Sequence, residues 1–158
     1  MKIDWFKLIV SVVGCEAVGN IGTIFTAPKI PTWYAGLVKP AFQPPSWLFG
    51  PVWTALFLLM GIAFYLVWSG KGMAGARKTA MWVFGIQFVL NVLWSALFFG
   101  MQSPLLGFIC IAGLWIAIVL TIKAFHDVSR PAAYLLVPYI AWVSFAAVLN
   151  YAVMMLNP

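Results

Sequence analysis

The chain has 158 residues, of which 65% are hydrophobic and 8% charged, with nine basic and three acidic side chains and a mean hydropathy of +1.03. Such a composition excludes a water-soluble domain, in which about a quarter of residues are charged. The net charge of +6 does not mark a nucleic-acid binder either, because the basic residues are dispersed at the ends of apolar runs rather than gathered on a polar face.

Five apolar runs, at 5–27, 47–69, 79–101, 104–125 and 132–155, each have the roughly 20 residues that a helix needs to cross about 30 Å of hydrocarbon. They predict an all-α integral membrane protein, a five-helix bundle forming a single domain over 1–158. The first run reads as a retained helix, since it ends in Thr26-Ala27-Pro28 without a clear small-x-small cleavage site. In it Glu16, Asn20 and Thr23 share one face, and Cys15, Gly19 and Gly22 form a strip of small residues that permits close helix approach, within the bundle or in a dimer. A carboxylate at this depth has two readings: a protonated side chain bonding a neighbouring helix, or a group that meets ligand or couples to protons. Cys15 and Cys110 have neither metal-site nor disulfide spacing and read as small packing residues.

Residues 28–46 form the longest connection, stiffened by Pro28, Pro31, Pro40, Pro44 and Pro45, and they predict a lid. The second run carries Trp53, Phe57, Met60 and Phe64 on one face. Residues 70–78 read as a solvated turn. The third run aligns Gln87, Asn91, Trp94 and Phe98, an amide pair that shades into an aromatic surface. Only Gln102 and Ser103 separate it from the fourth, with Pro104 at a helix start, so these two helices should lie antiparallel and adjacent. His126 to Pro131 is the last turn, and the fifth run aligns Tyr139, Trp142, Ala146 and Asn150. Trp5, Trp47 and Trp68 read as interfacial belt residues, while Trp82 and Trp115 have no assigned role. If the aromatic faces converge, they form a pocket that stacks a planar ligand and orients it with carboxamides; the alternative is ordinary core packing.

Lys2, Lys7, Lys71, Arg77, Lys78, Lys123 and Arg130 fall on the N-terminal side of the bilayer, against Lys29 and Lys39 on the other. The excess predicts a cytoplasmic N-terminus and an external C-terminus in a cell membrane.

Three blocks resemble the tryptophan-rich sensory protein family, also called translocator proteins or peripheral benzodiazepine receptors: the lid and second helix from Trp33 to Trp53, Gln87 to Gly100, and Val137 to Trp142 continuing to Leu149-Asn150-Tyr151. The resemblance implies a lid-capped ligand cavity in a five-helix bundle, often dimeric. Tyr34 and Pro44 would belong to the lid, Trp53 and Trp142 would flank the ligand, Gln87 and Asn91 would line a polar wall, and Ala146 would sit close to the ring system. Family ligands are protoporphyrin and other tetrapyrroles, benzodiazepine-like and isoquinoline carboxamide compounds and, in animal members, cholesterol. Lys39-Pro40-Ala41-Phe42 stands where many relatives have Lys-Pro-Ser-Trp, removing one indole from the lid. The chain also lacks a basic residue after Leu149 and Tyr151, so cholesterol is not expected.

From residues and resemblance together, the expected ligand site is Tyr34, Pro44, Trp53, Phe57, Gln87, Asn91, Trp94, Trp142 and Ala146, with Glu16 and Asn20 as a polar or proton-coupled pair. No metal or required cofactor is expected, and the expected partners are a porphyrin or similar ring, the bilayer and a second copy. The leading reading is a receptor or transport-type protein that senses or moves porphyrins. Light- and oxygen-dependent porphyrin degradation is the enzymatic alternative, though His126 lies at a helix end and no acid-base or nucleophile constellation is present. Proton-coupled export through Glu16 is a third, weakened by the lack of an internal repeat.

Overall fold

The structure is a computed structural model that describes residues 3–70 and 72–158; Lys2 and Lys71 lie outside the described residues. Five helical segments are long and apolar enough to cross a membrane: Trp5–Thr26, Ser46–Trp68, Ala74–Gly100, Pro104–Val128 and Arg130–Leu156. We label the helices α1 (Trp5–Thr26), α2 (Phe49–Trp68), α3 (Ala74–Ser95), α4 (Pro104–Val128), α5 (Arg130–Leu135) and α6 (Val137–Leu156).

Local chemistry sets the boundaries. Asp4 caps α1 by accepting a hydrogen bond from the Lys7 amide at 3.1 Å, and its own amide donates to the Tyr65 hydroxyl at 3.1 Å, tying the start of α1 to the end of α2. Ser103 caps α4 through the Leu106 amide, with Pro104 in the first turn, where its missing N–H removes no helical bond. Gln102, with φ of 55°, reverses the chain between α3 and α4 in the left-handed region. α3 and α4 pack extensively, as the short connection requires, and α1 packs mainly on α2.

Three boundaries differ from the sequence reading. α3 starts at Ala74, not 79, because Arg77 and Lys78 can sit in its first turns with their charges at the bundle end; Arg77 Nη1 donates to the Gly70 carbonyl at 3.0 Å. α4 runs through His126 to Val128, leaving Ser129 as the only residue between α4 and α5. The last span is broken at Leu136, since Pro138 has no N–H to continue the helical ladder.

The end of α3 widens into a π-turn over Ala96–Gly100. Phe98 and Phe99, adjacent in sequence, are both buried there. Away from this end, Phe64, Phe84, Phe88 and Phe125 fill the bundle, with Phe84 stacked on Phe88 at 5.5 Å and on Phe125 at 5.6 Å. The strip of small residues on α1 is used inside the bundle: Gly19 meets Phe57 of α2, and Gly22 meets Ser95 of α3. Cys15 and Cys110 are buried free thiols.

Candidate functional site

A cavity of about 310 Å³ lies between α1, α2, α3 and α6 at the lid end of the bundle. Its walls follow from helical spacing. Phe49, Trp53 and Phe57 come from one face of α2; Asn91, Trp94 and Ser95 from α3; Phe98 and Phe99 from the π-turn; and Ala146, Leu149, Asn150 and Val153 from α6. α1 contributes Gly19 and Gly22, whose lack of side chains lets Phe57 and Ser95 pack against them, together with Asn20, Thr23 and Thr26. Asn20 and Thr23 of α1, Ala27 just past its end, and Gly50 and Thr54 of α2 are lining residues exposed on the outer flank, so the cavity is open sideways between these two helices.

The aromatic wall is continuous. Trp53 stacks on Phe57 at 5.5 Å and lies 6.5 Å from Trp94, which stacks on Phe98 at 5.7 Å. Trp94 is held by its indole N–H, which donates to Asn150 Oδ1 at 3.0 Å, while Asn150 Nδ2 donates to the Pro104 carbonyl at 2.8 Å. Beneath the wall, Asn91 Nδ2 donates to the Tyr139 hydroxyl at 3.0 Å, and that hydroxyl donates to Gln87 Oε1 at 2.8 Å. Asn91 and Gln87 are therefore each engaged with a protein group through one end of the amide, while Gln87 Nε2 is buried without a partner among the described residues.

The lid begins with a helical turn over Ile30–Tyr34 and ends in a 3₁₀ turn over Ser46–Leu48. Ile30, Tyr34 and Ser46 cap the cavity. Tyr34 packs on Phe98 and Phe99 at 6.2 and 5.5 Å, and Trp33 meets the same two rings. The Lys39 ammonium sits 4.9 Å from the Tyr34 ring centre, and burial pushes the Tyr34 phenol above its ordinary value, keeping it neutral. Phe42 rests against Phe145 at 6.3 Å. Asn157, just past α6, accepts from the Val38 amide and donates to the Val38 carbonyl, each at 2.9 Å, so the lid is tied to the end of the last helix.

Residues 11–156 match the model of the TspO/MBR family. The chain is 52% identical over 145 residues to the tryptophan-rich protein TspO of Chlorobaculum tepidum, covering 91% of each chain. It is 46% identical over 151 residues to the tryptophan-rich protein TspO of Archaeoglobus fulgidus, covering 96% of this chain and 97% of that one. Against the translocator protein of Bos taurus it is 39% identical over 139 residues, covering 84% of this chain and 79% of the relative. This chain belongs to the TspO/MBR family. With its five apolar helices it is an integral, multi-pass membrane protein.

Within this TspO/MBR fold the structure brings Tyr34, Trp53, Phe57, Asn91, Trp94, Ala146 and Asn20 to one cavity. Others expected there stand elsewhere. Trp142 is not a lining residue: its ring packs 5.7 Å from that of Phe49, which is one, at a steep angle, and the Trp142 N–H is buried without a partner among the described residues. Gln87 is 1% exposed and reaches the cavity only through Tyr139 and Asn91. Neither Pro44 nor Glu16 is a lining residue. Glu16 is half-buried on α1, and its backbone carbonyl accepts from Asn20 Nδ2 at 2.8 Å. Phe49, Phe99 and the Asn157 tie went unseen in the sequence. Trp115, left unassigned, bonds the Ser144 hydroxyl at 2.8 Å.

Proposed function

We propose that the protein binds flat, apolar ring compounds, tetrapyrroles such as protoporphyrin IX among them, in the lid-capped cavity and senses or moves them. The observation that carries this is the unbroken series of rings from Phe57 through Trp53 and Trp94 to Phe98 around one hollow, with the Asn91 amide at its wall. Aromatic faces bind planar guests by stacking and area burial, and a few polar groups fix orientation. The opening between α1 and α2 gives the edge of a large ring room to project beyond the cavity. Lid residue Tyr34 borders the same hollow, so occupancy that contacts it differently in two lid positions shifts the lid between them. The names of two relatives, tryptophan-rich sensory protein and translocator protein, fit a role of this kind.

The test is a titration of the purified protein with protoporphyrin IX, read by quenching of tryptophan fluorescence. Trp53→Phe should weaken binding by about 2- to 10-fold, the worth of one aromatic pair. Trp82→Phe, at a side chain 66% exposed and outside the cavity, should leave affinity unchanged. Equal affinities in the wild type and both variants would refute the assignment of Trp53.

A further inference from the structure

Tyr139 is 1% exposed and joins two α3 amides through one hydroxyl. A hydroxyl has a single proton to donate. Here that proton goes to Gln87 Oε1 at 2.8 Å, so the bond between Tyr139 and Asn91 must run from Asn91 Nδ2 to the hydroxyl oxygen, as the 3.0 Å contact shows. Asn91 lines the cavity, whereas Tyr139 and Gln87 do not. The amide nitrogen is therefore turned to the core, and Oδ1 is the part of Asn91 left to the cavity. The other carboxamide of the α3/α6 wall, Asn150, has its oxygen and nitrogen both engaged with protein groups.

We propose that Gln87 and Tyr139 act as positioning residues that present Asn91 to the cavity as a hydrogen-bond acceptor. The site then prefers flat rings that carry an N–H or O–H donor at the facing edge over isosteres that carry only an acceptor there. This rests on the reading of the cavity as a site for flat apolar rings and adds the polarity of its selection. In a site screened from water, a matched donor keeps its bond, while an acceptor placed against Oδ1 leaves both groups unpaired.

Gln87 sets the direction of the chain. Its Nε2 is buried without a partner among the described residues, so only the Oε1 side of the amide is engaged. Remove that acceptor and the Tyr139 proton has one remaining amide oxygen to seek, that of Asn91. The Asn91 side chain then turns over and offers its NH₂ to the cavity, which inverts the selection.

Three tricyclic probes of nearly the same shape separate the outcomes: carbazole with an N–H, dibenzofuran with an ether oxygen and fluorene with a CH₂. Affinities are measured by calorimetry on the full chain in lipid nanodiscs, with empty nanodiscs subtracted. The wild type should favour carbazole over dibenzofuran by about 10-fold, the value of one hydrogen bond. Tyr139→Phe should narrow this to within about 2-fold, because the Asn91 amide is then free to turn either way. Gln87→Met, of similar shape, should reverse the order, a result that loosened packing alone does not produce; it carries the test if Tyr139→Phe fails to fold. Equal affinity for carbazole and dibenzofuran in the wild type, or an unreversed preference in Gln87→Met, overturns the proposal while fluorene binding keeps the ring-site reading. Failure of all three probes to bind overturns that reading and this one with it.

Discussion

Gly107 and Gly113 lie on the same helix, and only one of them is tightly packed. A Cβ added to Gly107 would come within 2.7 Å of Phe98 Cδ2 and 2.9 Å of Asn150 Oδ1, whereas one added to Gly113 meets nothing within 4 Å. Gly107→Ala should therefore push Phe98 and the Trp94–Asn150 bond toward the cavity and destabilise the protein by about 1–3 kcal/mol. Gly113→Ala serves as the neutral control. Thermal melts in detergent check this, and equal midpoints for the two variants would contradict the crowding. Sequence periodicity put Trp53, Asn91, Trp94 and Ala146 on helix faces that the structure brings to one cavity, because a helix places residues at i, i+4 and i+7 on one side. Trp142 shares the face of Ala146 one turn away, but periodicity gives a direction around a helix and not what packs against it, which here includes Phe49. Gln87 shares the face of Asn91 one turn away, beside a Tyr139 hydroxyl whose reach no spacing rule announces.

Among the elements, the lid shows most clearly what sequence can and cannot tell. Its five prolines predict a stiff, non-helical connection, and most of it is one, but a single helical turn over Ile30–Tyr34 carries Tyr34, which caps the cavity, and Trp33, which packs on the same two phenylalanines. Its far attachment is a two-bond tie between Val38 and Asn157, 119 positions apart. No local pattern identifies such a partner; the only sequence signal is a carboxamide directly after an apolar run. Asn157→Ala should remove both bonds, each worth about 0.5–1.5 kcal/mol net, and release the middle of the lid while leaving the bundle intact. Hydrogen exchange at Val38 should then accelerate with the thermal midpoint little changed. Unaltered exchange would show that Phe42 on Phe145 and Tyr34 on the phenylalanines suffice to hold it. The helix ends were harder to read than the helices, because Arg77, Lys78 and His126 look like loop residues by composition yet lie within α3 and α4 at the bundle end.

For the molecule as a whole, five antiparallel spans place Lys7, Arg77, Lys78, Lys123 and Arg130 toward one end and Lys29 and Lys39 toward the other, among the described residues. We expect the richer end, with the N-terminus, in the cytoplasm, and the lid with the C-terminus outside. Paired reporter fusions at the two ends should give opposite signals, and a cytoplasmic C-terminal reporter would reverse the assignment. The number of spans was legible because charge punctuates most of the apolar runs and Gln102-Ser103-Pro104 parts the third from the fourth. The division of the interior was not, since Phe84, Phe88 and Phe125 stack on one another while equally aromatic residues nearer the lid border a hollow.

The π-turn over Ala96–Gly100 makes the end of α3 a place where the chain holds slack. A π-turn winds about one residue more than an α-turn does, so losing one residue between Ala96 and Gly100 lets the coil tighten to ordinary pitch with little disturbance to α4. What changes is the aim of the pair: a lost residue turns Phe98 and Phe99 by about 100° relative to the α3 face that carries Trp94, so they cannot keep both their contact with Trp94 and their contact with Tyr34. A chain shortened by a single link here would keep its span and loosen the seat on which its cap rests.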